Sequence, residues 1–238
     1  MIEPRFLDAG EAALVVEFGR AVDPAIHDHV LALDRALAAQ ALPGVRETVP
    51  TFRSLMIHYD PLVLERAALV ERVRALETVA PAPRVAVRWT IPCCYDAPYG
   101  EDVARIAEMA GLTQQQVIAQ HTGTDLRVYM YGFVPGFCYL GRLPALTISR
   151  RATVRPPHPP NTILVADGMC VITTVSMPTG WWLIGRTPER FFAPQREPVF
   201  LVGVGDTLRF EAVDGATFAA LEARAAAGEV VARREPLP

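Results

Sequence analysis

The chain has 238 residues, 51% of them hydrophobic and 21% charged, and carries a formal net charge of −3. This length suffices for one large domain or two modest ones, and the composition is typical of a soluble globular protein. Without a basic excess, nucleic acid is not expected as a partner. All 23 basic residues are arginine, so a Schiff-base lysine, a phosphate-loop lysine and a biotinylated lysine are excluded on this chain.

The cysteines and the apolar runs indicate the cellular setting. Four cysteines occur, two of them adjacent and none in a C-x-x-C pair, which is a poor framework for disulfides or zinc. The first residues lack a charged region followed by an apolar one, and no apolar run approaches the ~18 residues needed to cross a bilayer. We therefore expect a cytoplasmic protein with no bound metal and no membrane contact.

The first half of the chain alternates between apolar, β-branched runs and helical periodicity. Asp23-Pro24 supplies an N-cap and a proline at the first helical position, and Asp60-Pro61 repeats that signal. The predicted elements are strands at 13–18, 45–49, 55–59 and 85–91, a helix from Asp23-Pro24 to a stop at Pro43-Gly44, and a helix that starts at Asp60-Pro61.

This β-α-β-β-α-β order predicts a ferredoxin-like sandwich, with helices on one face of a small antiparallel sheet. The strand at 85–91 can belong to either of two domains. Because the stiff sequence Pro81-Ala82-Pro83 precedes it, we place the boundary there and predict domains at 1–83 and 84–238. The predicted fold class is α+β.

The second half is predicted to be mostly β-structure after a helical insertion. A helix at 101–110 ends at Gly111, and Thr113 with Gln116 forms a capping box for a short helix that reaches His121. Many short strands between Pro/Gly turns indicate a closed barrel or a sandwich. The predicted strands are 126–131, 163–166, 170–174, 182–185, 199–202 and 207–210, followed by a terminal helix at 217–227.

The segment 131–141 carries four aromatic rings interleaved with three glycines and a proline. Exposed rings are unfavourable in water, so a plain connecting turn rarely carries so many. We interpret the segment as a shaped loop that packs on a barrel wall, a ligand or a partner chain; the alternative is a tight turn capped by core aromatics. The candidate substrate-binding or interface residues in it are Phe133, Pro135, Gly136, Phe137 and Tyr139.

Several segments in the same order resemble the 5-oxoprolinase B-subunit (PxpB) family, also called the allophanate hydrolase subunit 1 or KipI-type family. The stretches 11–19, 44–50 and 53–61 resemble its opening strand and hairpin. The loop 132–141 fits the family pattern G-F-x-P-G-F-x-Y-L-G at every fixed position, and 180–188 fits G-G-W-x-L-I-G-R-T-P at most positions. The similarity extends over most of the chain.

The resemblance implies a small N-terminal α/β domain followed by a cyclophilin-like β-barrel. It also implies a polypeptide that works beside two others, a related C-type barrel subunit and an A-type lactam-utilisation subunit. Such complexes use ATP, bound together with the partner subunits, to open 5-oxo-L-proline to glutamate. The alternatives are a carboxyltransferase or allophanate-hydrolase-type subunit for a urea-like substrate, with biotin on another protein, and a KipI-like inhibitor of a histidine kinase.

The chain departs from the family pattern in one segment. Where the pattern has Gln-Thr-Gly before the tryptophan segment, this chain has Met169-Cys170-Val171. A thioether and a thiol are weak hydrogen-bonding groups. If the triplet contacts a polar ligand, this chain should bind that ligand poorly or bind a different one.

The resemblance also selects basic candidates. Arg151 and Arg155 align with family arginines, and Arg186 and Thr187 belong to the tryptophan segment. A guanidinium fork suits a carboxylate or phosphate, so these arginines are predicted to surround an anion pocket, with Arg186 as a catalytic candidate. The alternative for each arginine is a solvated basic face.

His121 matches a family histidine and ends a short helix. We predict either an acid–base role or a cap on the last helical carbonyls. Trp181 and Trp182 are adjacent and point to opposite faces of a strand, so one can enter the barrel while the other lines a pocket or interface. Trp181 is the candidate for the pocket.

Overall fold

The computed structural model describes residues 3–77 and 87–237. The chain folds into two compact units, Met1–Arg84 and Val85–Pro238. Each unit has its own cluster of buried apolar side chains. The proline-rich break predicted at 81–83 lies outside the described residues, as do the first residues of the strand predicted at 85–91.

The first unit is a four-stranded antiparallel sheet with two helices. The order of its strands in the sheet is β1-β2-β4-β3. Strands β2 and β3 both pair antiparallel with β4, so they run parallel to each other, and α1 connects them as in a split βαβ arrangement. The elements are β1 (Arg5–Asp8), β2 (Ala13–Glu17), α1 (Pro24–Gln40), β3 (Val45–Pro50), β4 (Ser54–Tyr59) and α2 (Arg66–Glu77).

Helix α1 forms as its sequence predicts. The Asp23 carboxylate accepts the amide hydrogens of Ala25 and Ile26 at 2.7 and 3.3 Å and so caps the start of the helix. Pro24 follows at the first helical position, where its fixed φ favours the helix. Apolar residues at helical spacing then form a buried stripe in the core of this unit. That stripe consists of Val30, Leu33 and Leu37.

The second helix begins later than its sequence signal indicates. The Asp60 carboxylate accepts the amide hydrogen of Leu62 at 3.0 Å, and the Asp60 carbonyl accepts those of Val63 and Leu64. These bonds form a turn, and α2 begins only at Arg66. Leu62, which lies in this turn, is 96% exposed.

The edge of the first sheet is made by a strand that the sequence did not predict. Strand β1 pairs with β2 from Arg5↔Glu17 to Asp8↔Leu14. It occupies the edge position beside β2. The strand predicted at 85–91 belongs instead to the second unit, which resolves the alternative left open by the sequence.

The second unit is a closed barrel with three α-helices and one short 3-10 helix (Pro144–Leu146) in the described residues. Seven strands form a ring in the order β12-β9-β10-β7-β6-β13-β5, which closes through the pairing of Arg186 with Cys94. Strand β14 adds to β5, and β8 pairs with β11. The elements are β5 (Val87–Cys94), α3 (Val103–Ala110), α4 (Gln114–Gly123), β6 (Leu126–Tyr131), β7 (Cys138–Arg142), β8 (Arg155–His158), β9 (Thr162–Ala166), β10 (Met169–Ile172), β11 (Met177–Thr179), β12 (Trp182–Arg186), β13 (Thr207–Val213), α5 (Gly215–Ala226) and β14 (Arg233–Pro236).

This architecture confirms the α+β fold class and shows a barrel rather than a sandwich. Both predicted helix signals hold: Gly111 ends α3 in the left-handed region, and Thr113 and Gln116 form the capping box of α4. None of the helices in the described ranges is long and apolar enough to span a lipid bilayer.

The strand predicted at 199–202 is wrong. That segment makes only an isolated bridge between Phe192 and Phe200, and the amide of Leu201 donates to the carbonyl of Phe191. Its apolar run reflects burial rather than strand pairing, because Leu201 and Val202 belong to the core cluster of this unit. Strand β8, by contrast, was not predicted because Pro156-Pro157 reads as a break, yet prolines are tolerated in a two-stranded edge pair.

Glu189 fastens the C-terminal strand to the barrel. Its carboxylate is fully buried and accepts the amide hydrogens of Val231 and Ala232, both at 2.7 Å, just before β14. It also accepts the amide hydrogen of Arg190 at 2.8 Å. One carboxylate therefore satisfies three backbone donors.

We expect Glu189→Ala to lower the free energy of unfolding of this unit by about 3 kcal/mol or more, because three amides lose a charged acceptor. Urea unfolding followed by tryptophan fluorescence measures this, since all three tryptophans lie in residues 85–238. The control Glu229→Ala removes an exposed carboxylate paired with Arg224 and should change stability by about 1 kcal/mol or less. Equal losses in the two variants would contradict the anchoring role.

Candidate functional site

Four barrel strands carry an apolar row on their outer face. Cross-strand pairing aligns Tyr139 with Val171, Val171 with Leu164, and Leu164 with Leu183. Their sequence neighbours, which include Cys170 and other apolar residues, point to the opposite face and belong to the barrel core. The strands are therefore buried on both faces, and something must cover this outer row.

The aromatic loop between β6 and β7 supplies that cover. Phe137 is buried in one cluster with Leu164, Val171 and Leu183. Within the loop, the amide of Gly132 donates to the carbonyl of Phe137 at 3.2 Å. The loop therefore packs on the barrel wall, which is one of the three predicted possibilities.

Backbone geometry explains two residues of the loop. Gly136 has φ +76°, and a Cβ there would lie 2.4 Å from Cβ of Phe192 and 3.0 Å from Cγ2 of Thr174. Only glycine meets both the conformation and the space. The preceding residue, Pro135, is tied down because its carbonyl accepts the Thr174 hydroxyl hydrogen at 2.7 Å.

Phe133 is the unusual residue of the loop. It adopts φ +67°, which is rare for a bulky side chain, and its side chain is 71% exposed. Its ring meets the Phe137 ring edge-on at 5.7 Å between centroids. Backbone strain and an exposed aromatic ring thus coincide at one residue, a combination found at functional sites.

A cleft of about 300 Å³ opens beside the loop. Leu164 and Val171 of the outer row lie at its floor, and residues 177–181, which include β11, complete the lining. The cleft brings together four of the predicted candidates, namely Phe133, Phe137, Tyr139 and Trp181, and adds Arg150 at its edge.

Arg151 and Arg155 converge on a buried carboxylate. Their guanidinium groups lie 3.3 and 2.8 Å from the two oxygens of Asp102, and Arg155 also contacts Glu101. Asp102 in addition accepts the amide hydrogen of Leu183 at 2.8 Å. The two arginines do bind an oxyanion, but in this structure that anion is the protein's own.

Arg186 and Thr187 lie in a different set of contacts. Arg186 donates to Glu222 of α5 at 2.8 Å and to the Pro160 carbonyl at 3.1 Å. Thr187 is buried, and its hydroxyl accepts the amide hydrogen of Glu189 at 3.1 Å. Neither residue lines the cleft, so the anion-binding and catalytic roles suggested for them stay predictions.

His121 lies in the barrel core. It is fully buried, its ring stacks on Phe210 at 4.3 Å, its Nδ1 lies 2.6 Å from the Tyr95 hydroxyl, and its Nε2 lies 3.7 Å from the Cys170 sulfur. Burial lowers the pKa of His121 to about 3, so the ring is neutral at ordinary pH. Both nitrogens have protein partners in the core, which gives the acid–base role no geometric support.

The Met169-Cys170-Val171 triplet lies at both faces of β10. Cys170 points into the core, where burial raises the pKa of its thiol and keeps it protonated, while Val171 lies at the cleft floor. The positions where the family pattern has threonine and glycine are therefore filled by apolar groups in the core and in the cleft. The triplet therefore gives β10 no strongly polar side chain with which to bind a polar ligand.

Two residues of the site were missed by sequence reasoning. Asp102 occupies the N-cap position of α3, yet its carboxylate does not cap that helix and reaches Leu183 and two arginines instead. Arg150, beside Arg151, carries no pattern of its own. The sequence shows an acidic pair at 101–102 and an arginine pair at 150–151. Nothing in the residues near either pair indicates that Asp102 and Arg151 form an ion pair in the fold.

Comparison with known proteins agrees with these features. The model for the carboxyltransferase domain, subdomain C and D, matches residues 4–202, which include the loop and the cleft. The Bacillus subtilis (strain 168) protein named as the B subunit of 5-oxoprolinase is 30% identical over 216 residues, covering 84% of this chain and 89% of that protein.

Solved structures show the same fold. The crystal structure of TTHA0988 matches with a TM-score of 0.75 and 32% identity, over 85% of this chain and only 40% of that chain. The Kluyveromyces lactis urea carboxylase matches with a TM-score of 0.80 over 98% of this chain and 24% of its own, at 16% identity. The second likeness concerns the fold alone.

Gly136→Ala should lower the free energy of unfolding by at least about 2 kcal/mol, because left-handed strain and a clash with Phe192 add together. Gly111→Ala is the matched control: its φ is +66°, but nothing lies within 4 Å of the new Cβ, so about 1 kcal/mol is expected. Urea unfolding followed by tryptophan fluorescence compares them. Equal losses would show that close packing of the loop contributes nothing.

The buried His121 should make the fold acid-sensitive. The unfolded chain binds a proton below about pH 6.5, whereas the folded chain does so only near a pKa of about 3, so stability falls between these values by up to about 1.4 kcal/mol per pH unit. In His121→Gln this slope should be smaller by that amount between about pH 4 and pH 6. The exposed His29→Gln serves as the control for a histidine-to-glutamine substitution, and an unchanged slope in His121→Gln would refute the neutral assignment.

Proposed function

The chain belongs to the family of carboxyltransferase subdomains C and D, and on this basis we propose that it is the B-type chain of a heteromeric, ATP-dependent 5-oxoprolinase. The reaction converts 5-oxo-L-proline, ATP and water into L-glutamate, ADP and phosphate. The Bacillus subtilis protein that carries the name of the 5-oxoprolinase B subunit supports the assignment over most of both chains.

The single observation that carries the proposal is the cleft under the aromatic loop. Its floor is apolar, one side is open, and Phe133 stands strained and exposed at its edge. Large exposed aromatic side chains are typical anchors of protein–protein contacts. We place the related C-type barrel subunit on this edge, so that the cleft becomes part of a site shared between two polypeptides.

The small share of the TTHA0988 chain that this chain matches is consistent with a larger assembly. This chain corresponds to well under half of the TTHA0988 chain, so in that protein the matching segment is continuous with much additional polypeptide. We propose that equivalent surface is brought to the open cleft of this chain by a partner. We therefore expect little or no turnover from this chain alone.

ATP does not fit the arginines that were predicted to bind an anion. Arg151 and Arg155 share the carboxylate of Asp102, and Arg186 is paired with Glu222. Binding a triphosphate there would require breaking ion pairs that are partly buried. We place ATP with the partner subunits, and no phosphoryl-transfer step is assigned to residues of this chain.

The test is reconstitution with two partner polypeptides, the C-type barrel subunit and the A-type lactam-utilisation subunit. We expect glutamate formation that requires 5-oxo-L-proline, ATP and all chains. Phe133→Ala should weaken binding of the barrel subunit by about tenfold or more, because an exposed anchor is lost, whereas Leu62→Ala, which removes an exposed leucine from the first unit, should not. Capture of a histidine kinase with no barrel partner, or carboxylation of a urea-like compound with a separate biotin protein, would overturn the proposal.

A further inference from the structure

Arg150 is the one charged residue among the described residues that line the cleft. Its guanidinium lies over the Trp181 ring, 5.2 Å from the centroid. It is paired with Asp167 through Nε at 3.4 Å, and both side chains are about 60% exposed, so this pair contributes little. The terminal edge of the guanidinium remains available for a fork-like contact with an oxyanion.

The segment that carries Arg150 is held in place. The amide of its neighbour Arg151 donates to the Gly180 carbonyl at 2.8 Å, next to Trp181. The side chain of Arg151 is bound to Asp102 and stacks on Trp182 at 4.6 Å. These contacts fix the backbone of Arg150 beside the cleft wall, so no backbone ordering is needed there when a ligand binds.

Apart from Arg150, the cleft is lined mainly by apolar and aromatic side chains, with the hydroxyl-bearing Tyr139 and Thr179 among them. Leu164 and Val171 form the floor, and Phe137 and Trp181 contribute aromatic rings to the lining. Small-molecule sites of this kind combine apolar walls with a few placed polar groups, and about 300 Å³ is at the lower end of their size range. One positive charge suits a monoanion, and the walls suit a compact ring.

We propose that Arg150 makes this cleft the binding site for a small carboxylic acid that carries a single ring. The guanidinium edge binds the carboxylate while the ring lies between Phe137 and Trp181. The inference rests on the proposed function in one respect, because 5-oxo-L-proline is a compound of this class. Nothing in the cleft requires the lactam group, so ring acids without it should also bind.

The experiment compares three probes by calorimetric titration and by tryptophan fluorescence, to which Trp181 in the cleft contributes. The probes are 5-oxo-L-proline, cyclopentanecarboxylate, which keeps the acid but lacks the lactam, and pyrrolidin-2-one, which keeps the lactam but lacks the acid. Wild type, Arg150→Gln and Arg105→Gln are measured as the full chain and in the reconstituted complex. Arg105 forms an exposed ion pair with Glu108 elsewhere in the same unit and is the matched control.

Arg150→Gln should weaken the binding of both acids about 10- to 100-fold, because a charge-assisted contact is lost. The affinity for pyrrolidin-2-one should not change. The affinity of Arg150→Lys for both acids should lie between those of wild type and Arg150→Gln, since lysine keeps the charge but loses the guanidinium fork and the stacking on Trp181. Arg105→Gln should bind like wild type. Failure of both acids to bind wild type, or equal binding to Arg150→Gln, would overturn the site.

The outcomes separate this inference from the proposed function. ATP-dependent glutamate formation with an unchanged KM in Arg150→Gln would keep the function and reject the site. Binding of cyclopentanecarboxylate that depends on Arg150, in a complex that forms no glutamate, would keep the site and reject the function. A cleft that is filled by a partner side chain would show acid binding in the full chain that disappears in the complex, and this result also counts against the site.

Discussion

The constraint on which this structure depends is that four barrel strands are apolar on both faces. Inward residues fill the barrel, and outward residues form the row from Tyr139 to Leu183, which water would otherwise contact. Burying such a row contributes roughly 25 cal/mol for each Å² covered. The aromatic loop gives that cover, and glycine is required at position 136 because the backbone there is left-handed and passes close to Phe192 and Thr174.

A second constraint is the neutralisation of charge inside the unit. Asp102 is nearly buried, and it is acceptable there because Arg151, Arg155 and the amide of Leu183 surround it. The same pairing links the segment before β8 to β12 and thereby places Arg150 beside Trp181. A structural ion-pair group thus determines which guanidinium is left to face the cleft.

Local signals explain most of what could be predicted from the sequence. Asp23-Pro24, Gly111 and the Thr113–Gln116 box act within a few residues of themselves, and the helices begin or end where they indicate. Asp60-Pro61 has the same letters, but its carboxylate forms a turn before the helix. The unpredicted β1 and the wrong strand at 199–202 depend on pairing with distant residues, which periodicity does not report.

For the cleft, aromatic composition predicted the rings but not the charge. Rings that are not needed in the barrel core must pack elsewhere, so Phe137 and Trp181 could be selected from sequence. The partner of each arginine depends on tertiary structure, so Arg151 and Arg155 were selected although Asp102 neutralises them, and Arg150 was missed.

The Met169-Cys170-Val171 triplet of β10 limits how the cleft can bind a ligand. Val171 presents only methyl groups at the cleft floor, and Cys170 faces the core as a protonated thiol. A ligand in this cleft finds no hydrogen-bonding side chain from β10. Polar contacts with a ligand must therefore come from other parts of the lining, namely Tyr139, Thr179 and the guanidinium of Arg150, which lies over the ring of Trp181.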